Sequence, residues 1–248
     1  MRHPHRYTTG LLKITSIVTA LGLLSSSIPS AAAFTDIPSG AYYEAAAEAL
    51  VESGALENVA LLRPSDLALR SEMVKMLMLV RGEPLAYPSV SSFNDISKNS
   101  WYFPYFEGAA QAGWVRGDGN CYAAFRPCYG RPANGVNRAE AAALLVRTFN
   151  LQQLNVAPAF PDVPSTAWYA SAIQTAADHC ILQGDGSTGN VRPGAFMNRA
   201  EMITMFHRAS QHQQYAKNCG SASAVISGVT VLSPTKLRVN FTVDIDEN

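Results

Sequence analysis

Phe160-Pro161-Asp162-Val163-Pro164-Ser165-Thr166-Ala167-Trp168-Tyr169 has two counterparts upstream, and that recurrence decides how the chain is organised. Its opening tetrapeptide returns as Phe34-Thr35-Asp36-Ile37 and Phe93-Asn94-Asp95-Ile96. The aromatic pair that comes six residues after Asp162 returns as Tyr42-Tyr43 and Trp101-Tyr102. Each pair opens a run with small or apolar residues at i, i+3, i+4 and i+7, the period of a helix with one buried face. The positions are Ala47, Leu50, Val51 and Gly54, then Phe106, Ala109, Ala110 and Gly113, then Ile173, Ala176, Ala177 and Cys180. Gly54 and Gly113 suit the left-handed backbone that closes a helix. Cys180 stands where the third Gly belongs, and the exchange reads as a lost cap offset by a disulfide.

Further along, Gly117-Asp118-Gly119 and Gly184-Asp185-Gly186 mark tight turns. They carry neither the alternating oxygen ligands of a calcium loop nor the Lys-Ser/Thr of a phosphate loop. Arg-Pro comes next, as Arg63-Pro64, Arg126-Pro127 and Arg192-Pro193. Then come Arg70-Ser71-Glu72, Arg138-Ala139-Glu140 and Arg199-Ala200-Glu201. Asn137 and Asn198 precede two of these triplets, so Asn and the third-position Glu can satisfy each other's backbone donors as a capping box. Leu69 holds that place in the first copy and cannot cap. A second amphipathic helix succeeds each triplet, with Met73, Met76, Leu77 and Val80 matching Ala141, Leu144, Leu145 and Thr148, and Met202, Met205, Phe206 and Ala209. The predicted repeats are 34–84, 93–150 and 160–212, each helix, loop, helix.

These landmarks resemble the S-layer homology family over roughly residues 34 to 210. The resemblance rests on the Phe-x-Asp-Val/Ile opening, the aromatic pair, the helix ending in Gly, the Gly-Asp-Gly turn and the Arg-Ala-Glu triplet. It implies a mainly α fold in which three repeats pack about a pseudo-threefold axis, with grooves between neighbours that bind cell-wall polymers. Such polymers are pyruvylated secondary polysaccharides in many bacteria and peptidoglycan-linked glycans in others. Arg138 and Arg199 inherit the groove-facing role of the family's triplet arginine, and Arg70 does so less directly. A guanidinium at a helix start can fork onto a carboxylate beside exposed backbone donors, which suits an acidic sugar ketal. Trp101 and Trp168 either stack on a sugar ring or pack the helix start. Asp95 and Asp162 either accept sugar hydroxyls or, as we favour, bond backbone amides. Because the first repeat has Tyr42 for Trp, no Gly-Asp-Gly and Leu69, at least one groove should be silent. The insertion from Cys121 to Val136 covers or extends another.

Residues 1–33 read as a secretory leader, with basic Arg2, Arg6 and Lys13, an apolar run from Leu11 to Leu24, and Ala31-Ala32-Ala33 before Phe34. Thr15, Ser16, Thr19 and Gly22 break that run below the ~20 apolar residues of a membrane span, so no membrane insertion is expected. Removing those three basic residues from the total of 19 leaves 16 against 19 acidic. With no basic run either, there is no electrostatic footprint for nucleic acid.

Export permits thiol pairing, and four cysteines allow three connectivities. Cys121 with Cys128, closing a short loop, and Cys180 with Cys219, tying the third repeat to the chain beyond it, are the expected pairs. Metal spacing such as Cys-x-x-Cys is missing, and no cofactor is expected. Of the candidates for catalysis, His179, His207 and His212 have no accompanying Gly-x-Ser-x-Gly or His-Glu-x-x-His, so the chain reads as a non-enzyme.

Within residues 220–248 the pattern becomes β-type. Val225, Ile226, Val229, Val231 and Leu232 lead through Ser233-Pro234-Thr235 to the alternating Leu237, Val239, Phe241, Val243 and Ile245. A hairpin is predicted that resembles the start of an immunoglobulin-like domain. The competing function is a structural surface-layer subunit that self-assembles through these strands.

Overall fold

The computed structural model describes residues 34–119, 121, 128–155, 157, 159–215, 226–233 and 236–241. Each aromatic pair starts a helix. Tyr42-Tyr43 leads into α1 (Glu44–Glu52), Trp101-Tyr102 into α3 (Phe103–Gln111) and Trp168-Tyr169 into α5 (Ala170–Asp178). Each triplet starts the partner helix: α2 (Arg70–Arg81), α4 (Arg138–Thr148) and α6 (Arg199–Tyr215). A short ribbon pairs β1 (Asp118–Gly119) with β2 (Cys128–Tyr129), and a hairpin pairs β3 (Ile226–Ser233) with β4 (Lys236–Phe241). The protein is mainly α, as the period of its apolar residues predicts.

The two helices of a pair do not simply pack on each other. Instead α2 lies against α3, α4 against α5, and α6 against α1, so the second helix of each pair buries the first helix of the next. Leu50, Phe106 and Ile173 from the first helices and Leu77, Leu145 and Phe206 from the second are 0–1% exposed and belong to one apolar cluster. Helices α2 and α3 approach closely at Gly108, where an added Cβ would lie 2.5 Å from Met78 Cε and 2.8 Å from the Pro84 carbonyl.

The segments before the second helices meet in a closed ring of backbone hydrogen bonds. Ala68 N–H donates to Met197, Met197 to Val136, and Val136 to Ala68, at 2.9–3.0 Å. The same exchange continues outward, since Arg70 donates to Asn134, Arg138 to Ala195 and Arg199 to Asp66. Removing any one helix pair would leave donors of the other two unmet, which makes the three mutually dependent.

Two local features differ from the expected pattern. Cys180 does not abolish the helix stop: it adopts φ 61° itself, where Gly54 and Gly113 have 74° and 76°. Its N–H still reaches Ala177 and Ile181 still reaches Ala176, so the closing hydrogen bonds survive at the strain of a non-glycine residue in that region. Cys180 is disulfide-bonded; Cys219, its expected partner, lies outside the described residues. The other expected pair, Cys121–Cys128, is formed.

The second difference concerns the Arg-Pro of the middle loop. Arg126 and Pro127 lie outside the described residues, and the position equivalent to Arg63-Pro64 and Arg192-Pro193 is held by Arg131-Pro132. Arg63, Arg131 and Arg192 all have positive φ, 55°, 51° and 53°. In the hairpin, β3 and β4 pair antiparallel with Val229 opposite Val239 and Val231 opposite Leu237. Val225, Pro234, Thr235, Val243 and Ile245 lie outside the described residues, as does the leader segment 1–33.

Candidate functional site

The recurring aspartates hold the left-handed arginines in place. Asp36 accepts from the N–H groups of Leu62 and Arg63, Asp95 from Gly130 and Arg131, and Asp162 from Val191 and Arg192, all at 2.6–3.0 Å. Both oxygens of each carboxylate are used in this way. An L-residue with φ near +55° is strained, and two charge-assisted bonds to the amides on either side of the bend supply the compensation. Burial alone would push the Asp36 carboxyl up, but the amides of Leu62 and Arg63, with the Arg199 charge, outweigh it and hold the group below the ordinary range.

The triplet arginines and glutamates interlock across helix pairs. In α4 and α6 the Asn and Glu form the expected capping box: Glu140 N–H donates to Asn137 at 2.9 Å and Asn137 N–H to Glu140 at 3.2 Å, with 2.8 and 3.0 Å for Glu201 and Asn198. At Leu69 only the return half exists, Leu69 N–H donating to Glu72 at 3.1 Å. The second carboxylate oxygen of Glu201 and of Glu72 then takes an arginine from another pair. Arg138 binds Glu201, and Arg199 binds Glu72 while its Nε–H donates to the Leu62 carbonyl at 2.8 Å. With side chains only 13% and 12% exposed, Arg138 and Arg199 are engaged in holding the helix pairs together. Where the sequence suggests groove-facing guanidinium groups, each is bound by the glutamate of a neighbouring helix pair.

Arg70 differs. Its Nε–H donates to the Gly130 carbonyl at 2.9 Å, and it sits with Glu140 in a cleft of about 270 Å³ at the meeting of α4, the β1–β2 ribbon and the start of α5. Arg116, Arg131, Arg147, Asp118, Tyr129 and Trp168 complete the walls. Burial pulls the Arg70 guanidinium down from its ordinary range, with Glu140 opposing and Arg131 adding to the shift. Four guanidinium groups against the carboxylates of Asp118 and Glu140 leave the cleft net positive. Trp168 stands at its edge 69% exposed.

Trp101, the corresponding side chain against α2, already has a cation on its face: Lys75 Nζ lies 5.7 Å from its ring centroid and is ion-paired with Glu57. Tyr42, the counterpart against α6, is raised above the ordinary phenol range by burial and by Glu201. Of the residues predicted from sequence, Arg70 and Trp168 therefore come together in an open cleft, Trp101 meets Lys75, and Arg138, Arg199, Asp95 and Asp162 bond within the protein. Arg116 and Tyr129 were missed, having no equivalent in the other repeats, and Arg147 was missed although Arg208 stands at the same distance from the third triplet. Arg131 was legible: it lies seven positions before Arg138, as Arg63 lies seven before Arg70 and Arg192 seven before Arg199.

The family model described as S-layer homology domain matches residues 159–203, which span the Phe-x-Asp opening, α5, the left-handed Arg192 and the third triplet. Those residues form an S-layer homology domain. The chain is 26% identical over 228 residues to the S-layer protein EA1 of Bacillus anthracis, covering 89% of this chain and 25% of that one. It is 22% identical over 231 residues to the S-layer protein sap of the same organism, covering 91% and 26%. The amylopullulanase of Thermoanaerobacterium thermosulfurigenes is 33% identical over 124 residues, half of this chain but 6% of that enzyme. The chain thus spans about a quarter of the surface-layer relatives and a small fraction of the enzyme. The S-layer homology domain and the surface-layer relatives together indicate a cell-surface protein. Among the described residues, no helix is long and apolar enough to cross a membrane and no group of His, Cys, Asp and Glu could hold a metal ion.

Proposed function

We propose that this protein is held non-covalently at the cell wall by binding an acidic wall polysaccharide, and that the cleft between α4 and α5 is the principal binding place. The observation that carries the reading is the net positive cleft of Arg70, Arg116, Arg131 and Arg147 with the exposed ring of Trp168 at its edge. Carboxylate substituents of a polymer, pyruvyl ketals included, meet guanidinium groups there with forked hydrogen bonds, and a sugar ring has an apolar C–H face to lay on the indole. The three helix pairs act as equivalents about a threefold axis, with a related groove at each. The groove at Trp101 is weakened because Lys75 already occupies the ring face, and the one at Tyr42 lacks an indole.

Co-sedimentation with purified sacculi tests the reading, before and after mild acid strips the secondary polymer. Wild-type protein should pellet with untreated sacculi only, and Trp168→Ala with Arg116→Ala should stay in solution. Both residues are exposed, so the fold is retained. Undiminished pelleting of that variant refutes the assignment. Pelleting with stripped sacculi points to peptidoglycan itself.

A second reading, assembly into a surface layer, is favoured by the β3–β4 hairpin, whose outer edges have no strand partner among the described residues. Sedimentation velocity over a concentration series separates the two, since an anchor stays monomeric and a lattice former grows.

A further inference from the structure

We propose that the disulfide-closed β1–β2 ribbon makes Tyr129 a second aromatic wall of the cleft, so that this groove holds a sugar ring by Tyr129 as well as by Trp168. The inference rests on the polysaccharide reading above. Loop length is the first sign of it. The Asp-to-Arg span that closes each loop is 27 residues from Asp36 to Arg63 and 30 from Asp162 to Arg192, but 36 from Asp95 to Arg131. The longest of the three borders the cleft.

Within it, strand alternation decides which side chain faces the cleft. Cys128 is 7% exposed and its neighbour Tyr129 is 42% exposed on the opposite face of β2. Asp118 pairs across the ribbon with Tyr129 and ion-pairs with Arg131, which ties the ribbon to the left-handed loop. From behind, Asn94 and Cys128 bond in both directions, Asn94 N–H to the Cys128 carbonyl at 2.7 Å and Cys128 N–H to Asn94 Oδ1 at 2.8 Å. At Gly117 an added Cβ would lie 2.6 Å from the sulfur of either cysteine and 2.9 Å from Phe93, so the ribbon base is seated on the disulfide closely enough to exclude any side chain there.

The backbone that carries Tyr129 is thus anchored before any ligand arrives. The tyrosine ring offers a face to the C–H surface of a pyranose at little ordering cost, and its hydroxyl can exchange hydrogen bonds with sugar hydroxyls. The Cys121–Cys128 bond then acts through Tyr129, as a positioning element for binding, in addition to any part in stability.

Titration calorimetry with purified wall polysaccharide, using the full chain, tests this. Tyr129→Ala should bind about tenfold more weakly, the scale of one lost stacking contact. Tyr129→Phe should stay within about threefold of wild type, the loss of a single exposed hydrogen bond. Cys121→Ser with Cys128→Ser should match Tyr129→Ala, and combining all three changes should add little further loss. Thermal melts of each variant, run alongside, show that the protein is folded at the assay temperature. Wild-type affinity in Tyr129→Ala, with Trp168→Ala impaired, overturns the second wall and leaves the cleft standing. Wild-type affinity in both variants overturns the polysaccharide reading itself. Additive losses from Tyr129→Ala and the cysteine pair overturn the positioning role of the disulfide.

Discussion

Replacing Asp162 by Ala separates a scaffold role from a ligand role for the aspartates. The carboxylate accepts Val191 N–H at 3.0 Å and Arg192 N–H at 2.7 Å, and with them holds Arg192 at φ 53°. Hydrogen bonds to a charged group contribute about 1.5–3 kcal/mol each when sheltered. Water can replace part of the bond to Arg192, whose amide lies at the exposed side, so the sum falls to about 2–4 kcal/mol. For a domain of this size each kcal/mol moves the melting temperature by about 2–4 °C, which gives a decrease of roughly 4–16 °C by calorimetry or circular dichroism. Asp162→Asn keeps one acceptor and should fall between. Affinity for wall polysaccharide, measured well below the melting range, should be unchanged in both. A melting temperature equal to wild type together with lost binding would overturn the scaffold role and return Asp162 to the ligand.

Arg199→Met should lower the urea midpoint by an amount corresponding to about 3 kcal/mol, because it takes the guanidinium from the Glu72 carboxylate, 24% exposed, and leaves it the Leu69 N–H. Gly108→Ala should cost about 1–3 kcal/mol in the same assay, since the Pro84 carbonyl at 2.8 Å cannot give way as the Met78 methyl can. Acid stability depends on Asp36 and Asp178, which burial pushes up but backbone amides hold below the ordinary 3.8. A carboxyl depressed on folding contributes its stability in full above the unfolded value and loses it as pH falls through the folded one. Melting temperature should therefore be flat with respect to these groups above about pH 5 and fall below about pH 4, and a fall beginning near pH 6 would contradict the assignment.

The features legible in the sequence are those that repeat. The helix starts at Trp101-Tyr102 and Trp168-Tyr169, the stops at Gly54 and Gly113, and the Asn137 and Asn198 caps depend on local chemistry, which appears in local sequence. Pairing across helix pairs is not local. Arg138 and Arg199 look like free guanidinium groups at helix starts until Glu201 and Glu72, 63 and 127 residues away, are brought to them by the ring of backbone bonds. Lys75 over Trp101 was hidden for the same reason. The insertion obscured the second Arg-Pro, since Arg126-Pro127 matched in type while Arg131-Pro132 matched in distance from the triplet. Cys180 is the reverse case: the residue type argued against a cap, yet the hydrogen bonds around it enforce the same geometry.

The three tryptophans can report directly on where the polymer sits. In a titration of isotope-labelled protein with soluble wall-polysaccharide fragments, each indole N–H gives its own NMR signal. Trp114 is 7% exposed and Trp101 has Lys75 over its ring, whereas Trp168 borders the arginine-lined cleft. If the cleft binds the polymer, the Trp168 signal moves and saturates first while those of Trp114 and Trp101 hold still. A titration in which Trp101 moves and Trp168 does not, or in which none responds while fragments bind, shows that the polymer is held elsewhere.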